Sequence, residues 1–217
     1  MANPWVKGPE PERIQRYGEH PDQLIEFYGN KGPLVAAIHG GYWRAKHNCE
    51  HMRALCAALA SSGYQVANIE YRRELLKPEA TFADVQSALG VLENITAIMG
   101  FSVGGQLALI NSEAAHKLIL LAPVTDLSRT REESLGEGAV DEFFGNTNIQ
   151  SFDPIMLDFN SHIYLIHGDE DQRVPIAHSR DFVKIKGGSL TEIAGADHFD
   201  VINPNGLAFE LILRALA

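Results

Sequence analysis

The chain has 217 residues, a length that fits one domain with a sizeable core and is short for two. Hydrophobic residues make up 45% of it and charged residues 21%, which is typical of a globular protein. Its 28 acidic and 18 basic residues give a net charge of −10, which disfavours a polyanionic partner such as nucleic acid.

Membrane and secretory signals are not recognisable in the sequence. No stretch approaches the roughly 20 apolar residues that span a bilayer. The first residues lack the basic region and apolar run of a secretory signal. We therefore expect a cytoplasmic protein with no membrane partner. The two cysteines, Cys49 and Cys56, would lie roughly 10 Å apart on one helix, too far for a disulfide, and are predicted to be free thiols.

Short apolar runs alternate with longer amphipathic segments along most of the chain. Residues 1–20, rich in proline, glycine and charge, predict an irregular arm instead. Strands are predicted at 23–28, 34–39, 65–71, 95–99, 117–122, 162–167 and 190–193. Several of these runs are continuously apolar, which is typical of central strands covered on both faces.

Two helices show clear apolar spacing. One is predicted over 52–59 and ends at Gly63, and the other covers 85–92 after a capping box of Thr81 and Asp84. Strands that alternate with helices predict a doubly wound, mostly parallel α/β sheet.

The segment 128–160 breaks this alternation. It is either a surface excursion with one or two short helices or a small lid whose Phe143 and Phe144 face a substrate. The sequence leaves both interpretations open.

The clearest chemical signal is the segment Gly100-Phe101-Ser102-Val103-Gly104, which lies between a predicted strand and a predicted helix at 106–112. A nucleophilic serine on a sharp strand-to-helix turn needs small residues two positions away on either side. The N–H groups at the start of the helix also favour a developing negative charge. Ser102 is therefore the predicted nucleophile.

A serine nucleophile needs a base, and the base needs an acid that orients it. His198 lies in the loop after the last predicted strand and is the predicted base. Asp169 and Asp171 follow the preceding strand and Asp126 follows the one before that, so position alone leaves three candidate acids. His39 and His167, at strand ends, are better interpreted as buried, hydrogen-bonded structural residues.

A glycine pair after the strand at 34–38 predicts an oxyanion hole. Gly40 and Gly41 let the backbone approach a substrate carbonyl closely, and their N–H groups would act together with that of Val103. A competing pattern, His47-Asn48-Cys49-Glu50-His51, has the spacing of some zinc peptidases but lacks an evident third ligand.

Together these segments resemble the α/β-hydrolase superfamily from Leu34 to the C-terminus. The segment His39-Gly40-Gly41-Tyr42-Trp43 is most similar to kynurenine formamidases (arylformamidases) and hormone-sensitive-lipase-like esterases, as is Ile69-Glu70-Tyr71-Arg72. The segment His167-Gly168-x-x-Asp171-x-x-Val174-Pro175 is similar to the superfamily's acid motif, and this resemblance selects Asp171. Phe101 and Val103 replace the His or Asp and the Ala that more often flank the serine.

The resemblance implies one α/β-hydrolase domain over residues 1–217 that cleaves a small ester or amide through Ser102, Asp171 and His198. No cofactor or metal is expected. Tyr42, Trp43, Phe101, Phe143 and Phe144 are candidates for an aromatic substrate pocket. The alternatives are a non-catalytic binding protein of the same fold or a metal-dependent hydrolase that uses His47, Glu50 and His51. The natural substrate, oligomeric state and regulation are left open.

Overall fold

The apolar runs of the sequence form the strands of one eight-stranded sheet in the computed structural model, which describes residues 6–217. The strands are β1 Arg13–Arg16, β2 Leu24–Tyr28, β3 Leu34–Ile38, β4 Gln65–Ile69, β5 Ile95–Phe101, β6 Lys117–Leu121, β7 His162–Gly168 and β8 Ser189–Ile193. Their order in the sheet is β1-β2-β4-β3-β5-β6-β7-β8. In this order, the six neighbouring strands β4, β3, β5, β6, β7 and β8 pair in parallel. At one edge, β2 pairs antiparallel with β4, and β1 pairs antiparallel with β2. This confirms the predicted doubly wound, mostly parallel sheet.

Helices cover both faces of this sheet. They are α1 Arg53–Ser61, α2 Pro78–Gly90, α3 Val103–Ile110, α4 Leu127–Glu132, α5 Leu135–Phe144, α6 Ala177–Lys186 and α7 Leu207–Leu216. Short 3-10 helices cover Cys49–Met52, Ser112–Ala114, Ile149–Phe152, Pro154–Met156 and Asp200–Ile202. None of the helices between residues 6 and 217 combines the length and the apolar character that crossing a bilayer requires.

The core consists of two apolar layers, one on each face of the sheet. Helices α1 and α7 pack on one face, where Val35 and Ala37 of β3 point. Helices α2 to α6 cover the other face, towards which Ala36 and Ile38 point. Because successive side chains of a strand point to opposite faces, a strand buried on both sides is apolar at every position.

The irregular arm predicted for residues 1–20 is wrong in part, because β1 lies inside it. Residues 1–5 of the arm lie outside the described residues. Strand β1 is mostly exposed and pairs antiparallel with β2 at the sheet edge. Its sequence carries no apolar alternation, and backbone pairing is assisted by the Arg13 guanidinium, 3.7 Å from the ring centre of Phe27. An edge strand held in this way leaves no periodic signal.

The predicted capping box is also wrong, because α2 begins at Pro78 and includes both Thr81 and Asp84. Proline suits a helix start since its fixed φ is helical and no N–H is needed there. The Thr81 hydroxyl instead donates to the carbonyl of Arg72 over 2.5 Å. The Asp84 carboxylate binds the Arg72 guanidinium over 2.7 and 2.8 Å. Both side chains therefore tie α2 to the loop that follows β4.

The segment 128–160 contains short helices, and hydrogen bonds to Asp153 connect its second half to the start of α4. Asp153 accepts hydrogen bonds from the backbone N–H groups of Leu127 and Ser128, at the start of α4. Helix α5 is kinked near its start, where three consecutive residues, Gly136, Glu137 and Gly138, have left-handed backbone conformations. A lid function for this segment remains a prediction.

Both cysteines are free and buried, which confirms that they are free thiols. Cys49 begins a 3-10 helix and Cys56 lies in α1. Burial raises the pKa of both thiols, which makes the reactive thiolate form unfavourable.

Candidate active site

Ser102 occupies a strained turn between β5 and α3. Its φ of 55° and ψ of −120° lie outside the favoured regions, a conformation that costs of order 1–3 kcal/mol. Backbone hydrogen bonds hold it there: its N–H donates to Leu121 O, and its carbonyl accepts from the N–H groups of Gly105 and Val124. The sheet and helix therefore impose the conformation on this residue.

The glycines two positions from Ser102 are required by close backbone contacts. A Cβ on Gly100 would lie 2.3 Å from the carbonyl oxygen of Gly104. A Cβ on Gly104 would lie 2.1 Å from the carbonyl oxygen of Ile38, on β3. Both distances are far below van der Waals contact, so only glycine fits at either position.

The Ser102 hydroxyl is buried and makes no hydrogen bond within residues 6–217. Buried polar atoms of native proteins are nearly always hydrogen-bonded, so each exception needs an explanation. One explanation is that the Ser102 hydroxyl is a reactive group, which forms its contacts only with a substrate or a base.

The carboxylate of Asp171 holds the ring of His198. His198 Nδ1 lies 2.6 Å from Asp171 Oδ2, and both residues are buried. The other oxygen, Oδ1, accepts the N–H groups of Arg173 and Val174 over 2.7 and 2.9 Å. The Phe101 ring packs on the His198 ring with their centres 4.9 Å apart. Since Phe101 precedes Ser102, this contact brings His198 to the same end of the sheet.

The other two candidate acids are engaged elsewhere. Asp169 Oδ1 accepts the N–H of Gly195 over 2.7 Å. Asp126 caps α4 by accepting the N–H of Arg129 over 2.8 Å. The geometry therefore favours Asp171 as the partner of His198.

Asp171 is an ionised carboxylate. Burial opposes its ionisation, but hydrogen bonds from His167 and His198 outweigh burial and hold the pKa of Asp171 well below its usual range. It therefore carries a negative charge at neutral pH beside the His198 ring.

The glycine pair lies against the serine turn. A Cβ on Gly40 would lie 2.7 Å from Ser102 Cβ and 2.8 Å from the Phe101 carbonyl oxygen. Gly41 has a φ of +120°, and a Cβ there would lie 2.4 Å from Cβ of His47. Val103 is the first residue of α3, so its N–H is among those without a partner inside the helix.

A buried polar network lies behind the glycine pair. His39 Nδ1 hydrogen-bonds the Gly40 carbonyl oxygen over 2.8 Å, and its Nε2 lies 3.1 Å from Glu70 Oε1. Glu70 also binds the guanidinium of Arg73 and accepts the N–H of Cys49 over 2.8 Å. Burial opposes the ionisation of Glu70, but His39 and Arg73 lower its pKa to about 2. His39 is therefore buried and hydrogen-bonded, as predicted.

The five aromatic candidates for a substrate pocket do not form one surface. Trp43 stacks on Phe143 with ring centres 5.1 Å apart and meets Phe144 edge-on at 5.4 Å. These three side chains are buried in the core between the sheet and helices α2 to α6, whereas Phe101 is buried on the opposite face. Tyr42 is half-buried, and its hydroxyl donates to Arg173 O over 2.6 Å. Their role towards a substrate remains a prediction.

The BD-FAE family model matches residues 26–161, more than half of the chain. The chain belongs to the BD-FAE family. No curated protein matches it.

Solved structures show the same fold as this BD-FAE family member. Thermogutta terrifontis esterase 2, phosphoramylated by tabun, is 22% identical with a TM-score of 0.74, covering 96% of this chain and 92% of that one. Esterase B from Lactobacillus rhamnosis is 20% identical with a TM-score of 0.74, covering 96% and 86%. A putative thioesterase from Silicibacter sp. is 18% identical with a TM-score of 0.74, covering 93% and 86%. These similarities confirm the α/β-hydrolase fold, and the finer resemblance to kynurenine formamidases remains a prediction.

No metal site accompanies this fold in the described residues. Within 6–217, no group of three or more His, Cys, Asp or Glu side chains is arranged to hold a metal ion. His51, one of the three residues named for a metal-dependent hydrolase, is buried. Its ring centre lies 5.5 Å from that of His39 and 5.8 Å from that of Phe101. Nothing in the geometry supports the alternative based on His47, Glu50 and His51.

The BD-FAE fold also brings in polar residues that sequence reasoning missed. Arg73 was not predicted to contribute, although its position three residues after Glu70, just beyond a predicted strand, is a spacing at which the two side chains can pair. Ser179, in α6, hydrogen-bonds His167, and no local pattern marks it. His167 was predicted to be a buried, hydrogen-bonded residue and is one, but its contact with Asp171 follows only from the fold.

Proposed function

We propose that this chain is a serine hydrolase that cleaves a small carboxylic ester through Ser102, His198 and Asp171. The observation that carries the proposal is the 2.6 Å contact of His198 Nδ1 with Asp171 Oδ2. This pair lies at the same end of the sheet as the buried Ser102 hydroxyl, which makes no hydrogen bond within the described residues. A serine nucleophile needs a base that takes its proton, and the base needs an ionised acid that orients its ring.

The proposed reaction proceeds through an acyl-enzyme. Ser102 Oγ attacks the ester carbonyl carbon while His198 Nε2, the nitrogen not bound to Asp171, takes the hydroxyl proton. The C–O bond to the alcohol then breaks, and the alcohol leaves with that proton. Water attacks the acyl group in the same way, which releases the acid and restores Ser102. The chain's own groups account for every proton, so no metal or cofactor is needed.

The negative charge on the carbonyl oxygen would be stabilised by backbone N–H groups. Gly40, Gly41 and Val103 supply them in the proposal, because Gly40 lies against Ser102 and Val103 begins the following helix. A donor of this kind contributes about 3–4 kcal/mol to the transition state in well-studied hydrolases.

The similar structures suggest that the ester substrate has a short acyl group. Thermogutta terrifontis esterase 2 is described with propionate bound, and Lactobacillus rhamnosis esterase B as inhibited by a C4-C4 tributyrin phosphonate. In this chain Ser102 is almost fully buried, and the bulky Val103 follows it. Both features favour a small acyl group.

An aryl formamide is the second candidate substrate. The segment from His39 to Trp43 resembles the formamidase form of the oxyanion loop, and a formyl group is the smallest acyl group. The half-buried Tyr42 would offer an aromatic face to the leaving group.

Side-by-side turnover of p-nitrophenyl acetate and N-formylkynurenine tests these proposals. We would measure turnover and fluorophosphonate labelling for three proteins: wild type, Ser102→Ala and Ser87→Ala. Ser87 is an exposed serine of α2, so its variant is the matched control. We expect ester turnover and labelling in wild type and the control, and neither in Ser102→Ala. A preference for the formamide by orders of magnitude would select the second candidate. Absence of turnover and labelling in wild type would favour the non-catalytic binding protein.

A further inference from the structure

A second imidazole contacts the carboxylate of Asp171. His167 lies near the end of β7, fully buried, and its Nε2 is 3.1 Å from Asp171 Oδ2. The same nitrogen is 2.9 Å from the Val174 carbonyl oxygen. Its Nδ1 is 2.7 Å from the hydroxyl oxygen of Ser179, in α6.

These partners determine which nitrogen of His167 carries the hydrogen. A carboxylate and a carbonyl can only accept, so Nε2 donates to Asp171 Oδ2 and Val174 O. The Ser179 hydroxyl, which can donate or accept, contacts Nδ1 and holds the ring in the orientation that directs the Nε2 hydrogen at Asp171.

Oxygen Oδ2 of Asp171 is therefore shared by two histidines. His198 Nδ1 lies 2.6 Å from it and His167 Nε2 lies 3.1 Å from it. The other oxygen accepts two backbone N–H groups, from Arg173 and Val174. Every hydrogen-bonding position of this buried carboxylate is thus occupied.

We propose that His167, oriented by Ser179, is a positioning residue that moderates how strongly Asp171 stabilises the protonated ring of His198. The inference rests on the proposed function, in which His198 is the base. A donor on Oδ2 draws negative charge away from the oxygen that His198 contacts. Without that donor, the carboxylate would attract the protonated ring more strongly, and His198 would release its proton only at higher pH.

The orientation of Asp171 does not depend on His167 alone. The backbone N–H groups of Arg173 and Val174 hold Oδ1, and His198 itself holds Oδ2. Loss of His167 should therefore change the electrostatics of the pair more than its geometry. This separates the proposal from a purely structural role, which would affect folding without moving a pH profile.

Other ionisable groups around this site stay the same in the variants below. Tyr42 interacts with Asp171 from the loop after β3, and Glu192, bound by Arg180, lies beside His167 in the pairing of β7 with β8. Because none of them is altered, a change in the pH profile can be assigned to the contact of His167 with Asp171.

The experiment measures kcat/KM for p-nitrophenyl acetate from pH 5 to pH 9 in full-length His167→Leu, His167→Gln and Ser179→Ala. Leucine removes the donor, while glutamine can restore an N–H near the position of Nε2. The matched control is His162→Gln, an exposed histidine at the start of the same strand. Thermal unfolding of each variant is recorded in parallel.

We expect the midpoint of the acid limb to rise by about 0.5 to 1 pH unit in His167→Leu, with a smaller rise in Ser179→Ala. Below the midpoint, this shift lowers kcat/KM by about 3- to 10-fold. His167→Gln should stay close to wild type, and His162→Gln should not differ from it.

A wild-type midpoint in His167→Leu, whether or not its melting temperature falls, would overturn the inference and leave the proposed function intact. Should His167→Leu fail to fold, an unchanged midpoint in Ser179→Ala would overturn it instead. If wild type shows neither turnover nor fluorophosphonate labelling, the proposed function itself is wrong and the inference falls with it.

Discussion

The hydroxyl of Tyr42 donates a hydrogen bond to the carbonyl oxygen of Arg173 over 2.6 Å. Tyr42 follows Gly40 and Gly41 in the loop after β3, and Arg173 follows Asp171 in the loop after β7. The N–H of Arg173 in turn binds Asp171 Oδ1. One side chain therefore connects the proposed oxyanion loop to the loop of the proposed acid. Burial raises the pKa of Tyr42, so its hydroxyl remains a donor throughout the neutral range.

Tyr42→Phe should preserve the ring and remove this connection. We expect a loss of about 1 kcal/mol in the free energy of unfolding, the usual net contribution of one hydrogen bond. The kcat for ester hydrolysis should fall by about 10-fold, since small displacements of reacting groups are costly. Chemical denaturation and steady-state kinetics measure the two effects, with Tyr64→Phe as the control. Unchanged kcat would mean that the two loops hold their positions independently.

Gly40→Ala should abolish most of the activity. The new Cβ would lie 2.7 Å from Ser102 Cβ and 2.8 Å from the Phe101 carbonyl oxygen, so the loop must move away from the serine. Displacement of one oxyanion donor lowers kcat by about 100- to 1,000-fold in known hydrolases. Gly90→Ala, at the end of α2 where a Cβ meets nothing within 4 Å, is the matched control. Equal activities in the two variants would contradict the proposed position of the oxyanion hole.

Asp171→Asn should lower kcat far more than Asp169→Asn. Asparagine offers no negative charge to a protonated His198, and the equivalent change in a serine protease costs about 10,000-fold in kcat. Asp169 binds only a backbone N–H in the described structure, so its amide should retain most of the activity. Steady-state kinetics at a fixed neutral pH distinguishes the two acids. A larger loss in Asp169→Asn would reverse the assignment.

Glu70→Gln should remove part of the acid sensitivity of folding. The folded-state pKa of Glu70 is lowered to about 2 from an ordinary value of 4.5, so its ionised form stabilises the fold above pH 4.5. That contribution, about 3 kcal/mol, is lost as the pH falls from about 4.5 towards 2. We expect the free energy of unfolding of wild type to fall more steeply over this range than that of Glu70→Gln.

Denaturation at pH 2, 3, 4, 5 and 7 measures this slope. Glu79→Gln, an exposed residue in the first turn of α2, is the control and should keep the wild-type slope. Equal slopes in wild type and Glu70→Gln would mean that the network of His39 and Arg73 does not stabilise the carboxylate.

Local patterns were sufficient to predict the layered architecture and the order of the proposed catalytic residues. A strand covered on both faces must be apolar at every position, as in Val35–Ile38, and this property is visible without any structure. The small residues around Ser102 are likewise a local requirement, since Gly100 and Gly104 contact backbone directly. Strand β1 and the start of α2 were missed, because one lacks apolar periodicity and the other begins at a proline.

The contacts that give the candidate site its character join residues far apart in the chain, and only the tertiary structure determined them. The sequence predicted Asp171 through a motif, but its selection over Asp169 by contact with His198 became visible only in the folded chain. The stacking of Trp43 on Phe143 and the bond of Tyr42 to Arg173 are of the same kind. Periodicity and motif spacing record which face of an element is buried and where a chain turns. They hold no information about which side chains meet when β3, β5 and β7 are brought together at one end of the sheet.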